Sequence, residues 1–121
     1  MSFGISTSCL YPMITEEALE LLGKSGVKTC EIFINSLSET TPEFAQKLNN
    51  IKNAYNLKIT SVHPFSSFAE TYMLFSEYKR RFDDALDFYK QTAEAASLLG
   101  AKIMIIHGSR LPAKISYDEY F

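Results

Sequence analysis

The chain has two histidines, His63 and His107, and each closes a short β-type run of apolar residues. A neutral imidazole can ligate a metal, and near neutral pH it can take and give protons. Two imidazoles fall short of the three protein ligands that a catalytic zinc site takes, so tight metal binding does not follow from them alone. Glu31 is a carboxylate inside an apolar run. A buried carboxylate needs a cation or hydrogen bonds to keep its charge. It reads either as a pocket acid or metal-shell partner, or as a structural hydrogen-bonding residue in the floor of the fold. Ser6 sits at the end of the first β-type run. Phe65 follows His63 in a Ser- and Phe-rich stretch and suits either a sugar face or loop packing. Arg110 comes just after His107-Gly108-Ser109 and suits a phosphate or solvent.

The elements that must position these residues alternate in type. Residues 3–7, 28–35, 58–63 and 102–107 read as strands. Between them, 15–24, 42–55 and 76–99 carry apolar residues at helical spacing. Thr15 and Thr41 are expected N-caps, with Pro42 at the first helical position. Gly23 and Gly26 are expected to end the first helix and Gly100 the third. The longest helix should bury Phe82, Ala85, Leu86, Tyr89, Ala93 and Ala96. Residues 64–75 form a loop of ~12 residues, long for a strand-to-helix connection. A further helix start is expected at 116–121.

Alternating strands and helices imply a parallel sheet with right-handed crossovers. An open doubly wound sheet and a (β/α)8 barrel both satisfy that pattern. No Gly-rich phosphate loop follows the first strand; Ser6-Thr7-Ser8-Cys9 stands there. Polar residues instead mark the ends of several strands, at Ser6-Thr7, Asn35, His63 and His107, as at the catalytic rim of a barrel. Strict alternation places Thr29, Glu31 and Phe33 on one face, with Ile59, Ser61 and His63, and Ile103, Ile105 and His107 beside them. Cys30, Ile32, Ile34, Met104 and Ile106 then lie under the helices. The expected fold is therefore α/β, a partial (β/α)8 TIM barrel with about four parallel strands. A whole barrel takes ~250 residues, so the 121 residues make one N-terminal half, truncated.

In these segments the sequence resembles the N-terminal part of the xylose-isomerase-like TIM barrels. Gly4-Ile5-Ser6-Thr7, Val27 to Phe33, Ile59 to Phe65 and Leu98 to Gly108 carry the resemblance, in order and over nearly the whole chain. That superfamily includes sugar-phosphate isomerases and epimerases and the endonuclease IV repair enzymes. The resemblance implies one to three divalent metals (Mn, Mg, Co or Zn) at the C-terminal rim of the full-length parent. In the isomerases most ligands come from strands five to eight, so no metal is expected to be held tightly by this chain. There His63 and His107 would line the substrate pocket and help proton transfer, and Glu31 matches a common acidic position. In the endonuclease branch the same two histidines would be zinc ligands.

The function expected on this basis is the N-terminal portion of a metal-dependent sugar (phosphate) isomerase or epimerase, the fragment alone being inactive. His63, His107 and Glu31 are its catalytic candidates. Ser6, Phe65 and Arg110 are its candidates for binding a small carbohydrate or sugar phosphate. An endonuclease-IV-like zinc phosphodiesterase is the first rival. A net charge of −2 without a basic face argues against a nucleic-acid partner, as does Gly108-Ser109-Arg110 where a further histidine would be wanted. A non-catalytic half-barrel that self-associates through its exposed edges is the second rival. The composition, 46% hydrophobic and 21% charged, suits a soluble folded chain. No apolar run approaches a membrane span, no leader is apparent, and the cytoplasm is the expected location. Cys9 and Cys30 lack metal spacing and read as reduced thiols.

Overall fold

A computed structural model describes residues 3–109. Arg110 and the helix start expected at 116–121 lie outside them. The fold is α/β: strands β1 (Ile5–Ser6), β2 (Thr29–Ile34), β3 (Lys58–Pro64) and β4 (Ile103–Met104) alternate with helices α1 (Thr15–Lys24), α2 (Pro42–Ala54) and α3 (Lys79–Leu99). The sheet is parallel throughout, in the order β1-β2-β3-β4. Consecutive strands as neighbours, each joined by a helix, are the arrangement of a partial TIM barrel; right-handed crossovers then put every helix on one face.

The core lies between that face and the helices. Cys30, Ile32, Ile34, Ile59 and Val62 pack against Leu19, Leu22, Leu48 and Leu99. Ile32, Ile34, Leu19 and Leu48 are fully buried, and each contributes roughly 1.5–3 kcal/mol by leaving water. β2 alternates half-buried and buried residues along its length, which leaves Glu31 and Phe33 on the opposite, less covered face.

Strict alternation fails in β3. The register pairs Cys30 with Ile59 but Glu31 with Ser61, so Thr60 is an extra residue. Ile59 therefore joins the core with Cys30, whereas Ser61 and His63 turn to the Glu31 face. This corrects the expectation that Ile59 shares their face. The bulge leaves no stray acceptor, because the Thr60 hydroxyl donates to the Cys30 carbonyl at 3.2 Å.

Two strands are shorter than their apolar runs. β1 stops at Ser6 because residues 7–10 coil into a 3-10 turn. The Thr7 hydroxyl then accepts the Phe33 N–H at 2.9 Å, in place of a strand carbonyl. β4 stops at Met104, although Ile105 still donates to the Val62 carbonyl. Beyond it, the N–H groups of His107 and Gly108 find their acceptor in a side chain, Glu70.

The helices follow the sequence with three corrections. Thr15 does not cap α1; it is the first helical residue, and its buried hydroxyl donates to Glu39 at 2.9 Å. Gly23 lies inside α1, pressed against Tyr55. α3 starts at Lys79, and its buried stripe is Ala85, Tyr89, Thr92, Ala95, Ala96 and Leu99, while Phe82 and Ala93 are exposed. Thr92 tolerates burial because its hydroxyl donates to the Phe88 carbonyl. Thr41 caps α2 through the Phe44 N–H, and Gly100 ends α3 at φ 76°, where a Cβ would be strained.

Candidate active site

β3 and β4 end side by side, so the residues that leave them meet. His63 and His107 face each other through Nε2 atoms 3.1 Å apart. Behind His63, Nδ1 lies 3.4 Å from Glu31 Oε1, a long contact, and Ser61 donates to the other Glu31 oxygen at 2.8 Å. Phe33 packs its ring against His63, 4.9 Å between centroids. Behind His107, Nδ1 lies 3.3 Å from Glu70 Oε1. Each imidazole is thus backed by a carboxylate on the side away from its partner.

Glu70 is the residue that sequence reasoning missed. It stands in the loop after β3, in the second of two 3-10 turns, and its side chain has no solvent exposure. Oε2 accepts the backbone N–H groups of His107 at 2.8 Å and Gly108 at 2.9 Å, and Oε1 accepts the Tyr89 hydroxyl at 2.8 Å. Burial works against its charge. The hydrogen bonds from Tyr89, from the His107 ring and from the two backbone N–H groups outweigh burial and hold the carboxyl below its ordinary range. Burial also pushes the Tyr89 phenol up to about 12; contact with Ser66 pulls it down, and the Glu70 carboxylate adds to the rise. The one signal available beforehand was a single acidic residue inside Phe65-Ser66-Ser67-Phe68-Ala69-Glu70.

This arrangement constrains the protons. A carboxylate only accepts, so each Nδ1 is best placed as an N–H donor to its glutamate. Both Nε2 atoms then carry lone pairs, aimed at one another across 3.1 Å. Bare lone pairs repel at that distance. The conflict is relieved when one ring takes the other tautomer and donates Nε2–H to its partner, when one added proton is shared between them, or when a cation lies near both nitrogens. Metal-bound histidines have this backing, with the ring N–H donated to a carboxylate. Among the described residues no group of three or more His, Cys, Asp or Glu could hold a metal ion. The imidazole pair fits as two donors of a larger set.

The other candidates lie at varying distance from the pair. The strand register sets Ser6 beside Glu31, and its hydroxyl caps the following turn by accepting from Ser8. Phe65 packs against Phe88 of α3 and the core, the loop-packing alternative for that residue. Asn35 donates to Thr15 and to the Phe33 carbonyl, a structural network apart from the pair. Both cysteines are free thiols; Cys9 is exposed, and burial pushes the Cys30 thiol up.

No family model matches the sequence, and no curated protein matches it. Among solved structures, the crystal structure of a xylose isomerase domain protein from Planctomyces limnophilus has a similar fold. It superposes with a TM-score of 0.62 at 19% identity, covering 98% of this chain and 45% of that one. At that identity the likeness is one of fold. The chain spans under half the length of that protein. No helix among the described residues is long and apolar enough to cross a membrane.

Proposed function

We propose that the chain forms the N-terminal part of a divalent-metal-dependent isomerase or epimerase of small sugars or sugar phosphates. One observation carries the proposal: two carboxylate-backed imidazoles converge at the C-terminal ends of adjacent strands in a xylose-isomerase-like fold. That rim is where barrel enzymes place their chemistry.

In this reading His63 and His107 hold and move the proton that isomerisation takes from carbon or oxygen. Glu31 and Glu70 keep each ring in the Nδ1–H form, leaving Nε2 as the working atom. A bound Mn, Mg, Co or Zn ion would polarise the substrate oxygens as a Lewis acid. Its donors lie elsewhere in the full-length parent, and His63 and His107 would ligate metal only in the endonuclease-like alternative. Arg110 and Ser6 remain proposed contacts for the substrate.

The test is deuterium uptake from solvent at the carbon beside the carbonyl, in a panel of aldoses, ketoses and their phosphates. It is run on the intact gene product with each of the four metals. At least one sugar should exchange, and His63→Ala or His107→Ala should slow it a hundredfold or more. A hydride shift would convert the sugar without label, so a panel that neither takes up label nor changes into its isomers or epimers with any metal overturns the assignment. The same imidazole pair also fits a zinc phosphodiesterase, and cleavage of an abasic duplex in place of sugar exchange would select that reading.

A further inference from the structure

The hydrogen-bond chain does not stop at Glu70. Tyr89, on the buried stripe of α3, donates to Glu70, and the Ser66 hydroxyl lies 2.7 Å from the Tyr89 oxygen. Because the phenol proton is committed to Glu70, Ser66 is the donor to Tyr89. The sequence of donors then runs one way, from Ser66 to Tyr89 to Glu70, where it meets the Nδ1–H of His107. Oε1 of Glu70 is shared between the phenol and the imidazole.

We propose that Tyr89 and Ser66 are positioning residues for the imidazole pair, acting through Glu70 to fix the tautomer of His107. The inference deepens the isomerase reading, and rests on it for its use, but its geometry stands independently. Two features make the outer links more than packing. First, Tyr89 donates to Glu70 from α3, while His107 and Gly108 donate to it from the end of β4. The phenol hydroxyl thus ties the carboxylate to the helix layer. Second, the space behind Tyr89 is mainly apolar. A cavity of about 340 Å³ lies there, lined by Phe65, Phe68, Met73, Leu74 and Phe88 beside Ser66, Glu70 and Tyr89 themselves. A carboxylate released by Tyr89 has room to shift, with Ser66 as the hydroxyl left beside it.

The experiment is ¹⁵N–¹H NMR of the two imidazoles in the 121-residue chain, which reports the Nδ1–H to Nε2–H ratio directly and needs no substrate. In the unaltered chain His107 should be chiefly Nδ1–H. Tyr89→Phe should lower that ratio at least threefold, Ser66→Ala should lower it less, and Glu70→Gln should abolish the preference. Phe88→Leu, which alters the cavity wall and the ring packed against Tyr89 but removes no donor, should leave it unchanged. An unchanged ratio in Tyr89→Phe overturns the proposal; if that variant does not fold, an unchanged ratio in Ser66→Ala does so. A shift in Phe88→Leu as large as in Tyr89→Phe also overturns it, since packing would then suffice. A protein that exchanges no sugar but shows the expected shifts loses the isomerase reading and keeps this one.

Discussion

Glu70 grips His107 at two points: one oxygen takes the backbone N–H at 2.8 Å, and the other meets Nδ1 at 3.3 Å. The same carboxylate therefore ends β4 and orients the ring that follows it. Loss of this group should be costly. Glu70→Gln should lower the stability of the chain by roughly 2 kcal/mol, because hydrogen bonds to a buried charge are strong and a neutral amide replaces only part of them. Urea unfolding measures it; a midpoint within error of the unaltered chain would contradict the role assigned to Glu70.

Glu70 also sets an acid dependence. Its folded-state pKa lies below the ordinary 4.5. The stabilisation is therefore complete above about pH 4.5 and is lost as pH falls below that through the folded value. Urea midpoints between pH 7 and pH 3 should fall more steeply for the unaltered chain than for Glu70→Gln. Parallel curves would show that the carboxylate is not the linked group.

Tyr89 marks the opposite end of the pH scale. One of the seven tyrosines should titrate near 12 in the ultraviolet difference spectrum, later than an ordinary phenol, and Tyr89→Phe should remove that step. A raised folded-state value stabilises below the ordinary phenol range and is lost as pH rises through about 12. Retention of the late step in Tyr89→Phe would assign it to another ring.

Gly23 tests the contact between α1 and the end of α2. A Cβ there would stand 2.5 Å from the Tyr55 ring. Gly23→Ala, ordinarily favourable in a helix interior, should instead destabilise by about 1–3 kcal/mol. Part of that loss should return in the double variant with Tyr55→Ala. Thermal unfolding of the single and double variants checks both, and a stabilised Gly23→Ala would refute the close packing.

The sheet face that carries Glu31 and His63 has no helix over it among the described residues, and Ile5 and Ile103 are exposed. We expect the 121-residue chain to self-associate, with a light-scattering mass that rises with concentration. A constant monomer mass across a hundredfold range would argue otherwise.

The alternation of elements was legible because it rests on local physics. Gly100 stops a helix wherever a left-handed residue is needed, Thr41-Pro42 starts one, and Cys30-Ile32-Ile34 declares a buried face by period alone. Glu31, Ser61, His63 and His107 could be assigned to one face on the same logic. The bulge at Thr60 was invisible, since one extra residue alters no composition and leaves no periodic trace in so short a strand. Phe65 read as a loop aromatic and became part of the wall under α3, because only packing decides which way such a ring turns.

By itself the sequence determined a parallel α/β layer with two imidazoles at neighbouring strand ends, as apolar periodicity and residue type act over a few positions. Only the tertiary structure decided that those rings meet at 3.1 Å, and that a loop carboxylate with a helix tyrosine behind it holds one of them. Residues 70, 89 and 107 are brought together by chain crossings, and a hydrogen bond between distant residues has no period to read.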